Sequence, residues 1–183
     1  LLAAQGQWLP VDWPRGGEPT TTDGSTSRAG TIGGLVARGL SGGLRQRHLG
    51  IRDQIIGIGL LRSDGTAAKA GGRVVKNVAG YDLMRLLCGS WGSLALITEV
   101  TLRVQPIRPA HAGLLVTGEL ADLERFRTAL LLSTLTPERC DWQCPADGQW
   151  ALRLVLSSVS DQAVQDQLNR LQSLAAEHDL QAE

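Results

Sequence analysis

Apolar and polar positions follow two styles along this chain. Between residues 31 and 106 the apolar runs are short and broken by glycine. QIIGIGLLR at 54–62 predicts a β-strand, Ser63, Asp64 and Gly65 predict a turn, and TAAKAGG brings the chain back as the second arm of a hairpin. Thr31 stands where it can cap a short helix through LVARGL, and Asp82 can cap another that buries Leu83, Leu86 and Leu87 before Gly89 to Gly92 end it. Residues 94–104 predict a strand, stopped by Pro106.

After Pro109 the pattern is more regular. A strand at 112–117 leads to a helix at 121–133 with Leu123, Phe126 and Leu130 on one face, and Pro137 follows. Strands are expected at 139–143 and at 150–156, the latter with Trp150, Leu152, Leu154 and Leu156 inward. Ser158 with Asp161 resembles a capping box for a last helix carrying Val164, Leu168, Leu171 and Leu174. This βαββα order lacks one strand of a ferredoxin-like unit, so the second part is expected to be cut short at Glu183.

Composition sharpens this division. The net charge of zero hides 13 basic against 7 acidic residues in 1–110 and 5 against 11 in 111–183, and 19 of the 22 glycines precede residue 100. A boundary near Pro106 to Pro109 follows. The basic surplus fits either an anionic ligand or a solvated surface, and its scattered lysines and arginines argue against nucleic acid. No run approaches the roughly 20 apolar residues of a membrane-spanning helix, so a soluble chain is expected. Cys88, Cys140 and Cys144 are odd in number and lack a completing Cys or His pair, which predicts reduced thiols and no metal site. A first residue that is Leu, with no leader behind it, predicts a fragment of a longer protein.

Residues 10–31, rich in Pro, Gly, Thr and Ser, form a long loop that ends at Thr31, Ile32, Gly33 and Gly34. Paired glycines at a helix start leave main-chain amides open at the positive end of the helix dipole, a place that suits phosphate. Close packing of the helix on a strand explains the same glycines equally. Neither GxxxxGK[ST] nor a GxGxxG opening a helix after a strand is present.

Three ordered strings, GTIGGLVARGLSGG, GIRDQIIGIGLLRSDGT and KNVAGYDLMRLLCGSWGSLALITEVTLRVQP, resemble the vanillyl-alcohol oxidase and p-cresol methylhydroxylase (PCMH-type) flavoprotein superfamily, and within it the FAD-binding E subunits of bacterial glycolate oxidases. The resemblance implies an α+β fold. Residues 1–108 would be a PCMH-type FAD-binding domain without its N-terminal phosphate-loop subdomain, and 109–183 a partial ferredoxin-like cap or substrate domain. It implies FAD as cofactor, with Thr31, Ile32, Gly33 and Gly34 meeting the pyrophosphate and flavin side and Ile97 meeting the adenosine part. Gly42, Gly43, Gly89 and Gly92 match family glycines, although Leu40 and Ser41 replace a common Asn ahead of the first pair.

Lys76, Asn77, Tyr81 and Asp82 form a polar group for which helix capping, space filling and solvation are sufficient explanations. His48 stands at an aromatic position of the family, which suggests packing, and neither His111 nor His178 falls in a motif. No catalytic base is legible. The implied activity is oxidation of small 2-hydroxy acids to 2-oxo acids beside other glycolate oxidase subunits, a D-type flavoprotein and an iron–sulfur F-type subunit. A cytoplasmic location, reaching the inner face of the membrane only through those partners, goes with it. The alternatives are a stand-alone D-2-hydroxyacid (D-lactate type) dehydrogenase and a non-catalytic assembly subunit.

Overall fold

The computed structural model of the chain describes residues 1–12, 30–74, 81–144 and 148–183, so most of the long loop, together with Lys76 and Asn77, lies outside the described residues. In chain order the elements are β1 (Gln7–Trp8), α1 (Ile32–Arg38), α2 (Arg45–His48), α3 (Ile51–Gln54), β2 (Ile55–Leu61), β3 (Ala67–Gly71), α4 (Leu83–Leu87), β4 (Leu96–Leu102) and β5 (Gln105–Pro106). Then follow β6 (Ala110–Thr117), α5 (Leu120–Leu132), β7 (Arg139–Gln143), β8 (Ala151–Ser158), α6 (Asp161–Ala176) and β9 (Gln181–Ala182). They make two compact units: Leu1–Gly42 with Leu49–Pro106, and Gly43–His48 with Ile107–Glu183.

The first unit is built on an antiparallel sheet in the order β3-β2-β4. Its β2–β3 hairpin closes where Arg62 N donates to Thr66 O at 3.0 Å and Thr66 N donates to Asp64 Oδ1 at 2.9 Å. Hydrogen bonds from the Thr66 amide and then its side chain hold the Asp64 carboxyl below its ordinary range. Ile55, Ile58 and Leu60 of β2 are buried with Leu35 and Val36 of α1, Ile51 of α3 and Leu87 of α4. Helix α4 buries Leu87, whereas Leu83 and Leu86 are exposed, contrary to the sequence expectation. The face that α4 turns to the core is Met84, Leu87 and Cys88, so the buried stripe is shifted by one position from the Leu83, Leu86 and Leu87 stripe. β1 and β5 pair as a two-residue ribbon, Gln7 opposite Pro106 and Trp8 opposite Gln105.

The second unit has an antiparallel sheet in the order β7-β8-β6-β9, with α5 and α6 packed together on one face. This is the ferredoxin-like strand order. Its fourth strand lies inside the chain: Val116 pairs with Ala182 and Thr117 with Gln181. Two residues are too few for alternation to register, so the sequence pattern ended one strand early.

Leu152, Leu154 and Leu156 point into the core, but Trp150 precedes β8, is half-exposed, and meets Trp142 edge to face at 6.1 Å. The cap of α6 is Ser160, whose Oγ accepts from Ala163 N, rather than Ser158, which still belongs to β8. Phe126 is fully buried among these leucines. Phe126→Ala should therefore cost about 3–5 kcal/mol, read as a lower urea midpoint for hydrogen exchange in β6 and β8.

Candidate functional site

Thr31 adopts an extended backbone and caps α1: its Oγ1 accepts from Gly34 N at 3.0 Å and its carbonyl accepts from Leu35 N at 2.9 Å. The Gly34 amide is therefore used inside the cap, which corrects the expectation that both glycine amides stand open. Ile32 and Gly33 begin the helix ahead of that bond, and their amides belong to the first turn, where no intrahelical acceptor exists. A methyl group built on Gly33 would meet no described atom within 4 Å, so packing on a described element does not explain this glycine. Beneath the first turn, Leu35 and Val36 anchor α1 in the core and leave Thr31 and Ile32 at the surface.

The other end of α1 is held by the third glycine-containing string. Gly39 closes the helix with φ 64° and donates to the carbonyls of Leu35 and Val36. Gly89 N donates to Val36 O at 3.0 Å and Trp91 N to Ala37 O at 2.8 Å. A methyl on Gly39 would sit 3.1 Å from Gly89 Cα, so backbone touches backbone here. The Arg38 guanidinium lies over the Trp91 ring at 5.2 Å. Gly89 and Gly92, both at positive φ, thus have structural reasons for their places. Just beyond α1, Gly42 N donates to Asp12 Oδ2 at 2.8 Å.

Ile97 lies on β4 opposite Leu60, half-buried against the core that also holds Leu35 and Val36. Gly59 pairs with Glu99 and Leu60 with Ile97, leaving Thr98 as an extra residue. Such a bulge beside Ile97 bends the strand. Among the described residues β4 is an edge of its sheet, so part of its main chain faces away from β2. The structure brings α1 and β4 into contact, and the candidate residues at 31–34 and 97 therefore sit on packed elements of one unit.

Other candidates resolve differently. Asp82 caps α4, accepting from Arg85 N and pairing with Arg85 Nε at 3.0 Å, while Tyr81 is almost fully exposed and fills no space. His48 does have a charged partner, which sequence reading missed: its Nε2 lies 3.2 Å from Glu138 Oε1, with side chains 9% and 8% exposed. The two are 90 residues apart, and no local pattern joins them. His178 meets Phe126 edge to face, and His111 is exposed on β6. No group of three metal-ligating side chains occurs among the described residues. Burial pushes the Cys88 and Cys140 thiols above their ordinary range, with Asp141 adding to the effect at Cys140.

Two measurements check this geometry. Gly39→Ala should cost more than about 1 kcal/mol, because the left-handed backbone and the Gly89 contact both oppose a side chain, whereas Gly33→Ala should leave the unfolding midpoint level or slightly higher. In alkylation at mildly alkaline pH, exposed Cys144 should react before Cys88 and Cys140 by mass spectrometry.

No family model matches the sequence. Glycolate oxidase subunit GlcE of Escherichia coli (strain K12) is 35% identical over 153 residues, 84% of this chain and 40% of the relative. Glycolate oxidase subunit GlcD of Bacillus subtilis (strain 168) is 39% identical over 101 residues, 55% of this chain and 21% of the relative. A mitochondrial D-lactate dehydrogenase (cytochrome) of Arabidopsis thaliana is 44% identical over 82 residues, 45% of this chain and 14% of the relative. The chain thus spans at most two fifths of the length of these relatives. A solved structure of alkyldihydroxyacetonephosphate synthase superposes with a TM-score of 0.75 at 15% identity, covering 99% of this chain and 36% of that one, a likeness of fold. In sequence the chain is thus similar to the glycolate oxidase subunits, and it shares its α+β fold with the synthase.

Proposed function

We propose that this chain is the FAD-binding portion of a glycolate oxidase subunit of the GlcE kind, acting in the oxidation of small 2-hydroxy acids to 2-oxo acids. The observation that carries the reading is the reach of the GlcE likeness, whose 153 residues outrun the first unit and must enter the second. Likeness to the D-lactate dehydrogenases of Arabidopsis thaliana and Archaeoglobus fulgidus extends over 82 and 77 residues, less than the first unit contains. That difference favours the oxidase subunit over a stand-alone D-2-hydroxyacid dehydrogenase.

On this reading residues 1–108 are the FAD-binding domain and 109–183 the cap or substrate domain. Thr31 fixes the first turn of α1, Ile32 and Gly33 offer main-chain amides to the pyrophosphate, and Gly34 leaves the approach clear of a side chain. The uncrowded space over Gly33 supports this, since a phosphate group needs room that a packing glycine would not leave. Ile97, beside the bulge of β4, would meet the adenosine part through its main chain. When bound, FAD supplies the electron acceptor, and the protein's task is to hold it and to orient the substrate against it. A D-type flavoprotein and an iron–sulfur subunit are the partners that fit, with a cytoplasmic location. Among the described residues no helix is long and apolar enough to cross a membrane.

The test is a visible absorption spectrum of the intact protein, purified with and without Gly33→Ala. Flavin bands in the parent that bleach with glycolate, and that fall about tenfold in occupancy at limiting FAD in the variant while its unfolding midpoint holds, are expected. A parent without flavin bands that still assembles with its partner subunits would instead establish an assembly role.

A further inference from the structure

The segment 43–48 departs from the order of the chain. Its flanks on both sides belong to the first unit, yet the segment itself packs with the second, so the chain enters the second unit at Gly43, leaves it at Leu49 and enters it again at Ile107. What holds the segment is mostly polar. Arg47 donates to Thr136 O at 2.7 Å, Cys140 N donates to Gly43 O at 3.4 Å, and His48 meets Glu138 at 3.2 Å. Leu44 is its single buried large apolar side chain, and Gly43 lies directly against the Asp141 carboxylate. Glu138 is itself fixed, its amide donating to Val155 O at 2.7 Å.

Two features separate this segment from ordinary core. Helix α2 is a single turn, closed by bonds from the Arg47 and His48 amides to Leu44 O, and such a turn has little stability of its own. At the exit, Leu49 has φ 64° and is half-exposed, a left-handed backbone that a leucine adopts only under constraint from its neighbours. The charged groups around the segment are Glu138, Arg139 and Asp141 from the β7 side, Arg108 ahead of β6, and Arg45 and Arg47 of α2 itself.

We propose that residues 43–48 are a releasable clasp on the second unit, with the buried His48–Glu138 pair as its catch. The segment is continuous at both ends, Gly42 and Leu49, with residues of the first unit. The polar catch suits release, because His48 and Glu138 both regain water when the segment lifts, and that recovered hydration offsets much of the lost pairing. The left-handed Leu49 favours opening, because the constraint on it ends when the catch does. This device goes beyond the flavin reading and stands without it.

Hydrogen exchange by NMR on the whole chain tests it, with the amides of Arg47, His48 and Cys140 as reporters and those of Leu114 and Leu154 as the core reference. In His48→Ala the reporters should exchange at least about tenfold faster while the reference is unchanged. Unchanged reporters, or reporters and reference rising together, would overturn the proposal. The parent chain provides a second reading that needs no variant: at low urea its reporters should exchange through an opening nearly independent of denaturant, while the reference follows urea steeply. One slope shared by both sets would sink the clasp.

Discussion

The meeting of two main chains at Gly39 and Gly89 is the constraint on which the first unit depends. No side chain separates them, and the amides of Gly89 and Trp91 donate to the Val36 and Ala37 carbonyls at the end of α1, tying the two segments together. With that end fixed, Leu35 and Val36 must lie over β2 and β4, and the helix start at Thr31 is held in one direction. The first turn is thus presented by a rigid support although the helix has seven residues. Arg38 stacked on Trp91 covers the same joint from outside.

The second unit is held differently. Its sheet is covered on one face by two helices whose apolar stripes meet Leu152, Leu154 and Leu156, and Phe126 fills the middle. Burial of this kind is non-directional, so the unit depends on volume and pattern more than on any one hydrogen bond. The polar exception is the border with residues 43–48, where His48, Glu138 and Arg47 come together. Burial and the nearby Arg108 push the Arg47 guanidinium below its ordinary range, and Glu138 works against that shift.

These two modes of construction fit the division of labour in the PCMH-type family reading. A site for a dinucleotide asks for exposed main chain on a rigid support, which glycine-dense turns provide at the cost of apolar packing. A cap asks for a firm layered body, which the leucine-rich sheet and helices provide. The charge split follows the same line, with the basic surplus on the part that would meet phosphates.

Much of this was legible in the residues. Period-two leucines at 152, 154 and 156, the stripe of Leu123, Phe126 and Leu130, the Ser-Asp-Gly hairpin and the Thr31 cap are local regularities, and local regularity is what a sequence encodes directly. The sequence by itself also singled out Gly33, Gly34 and Gly89 as candidates, though not Gly39. What surrounds each was decided only by the folded chain: no described atom crowds Gly33, Gly34 gives its amide to Thr31, and Gly39 and Gly89 lie against each other. The His48–Glu138 pair, the transfer of residues 43–48 to the second unit and the strand at 181–182 left no trace in the pattern. Each depends on partners dozens of residues away, and no propensity or period carries information about a neighbour that only the folded chain supplies.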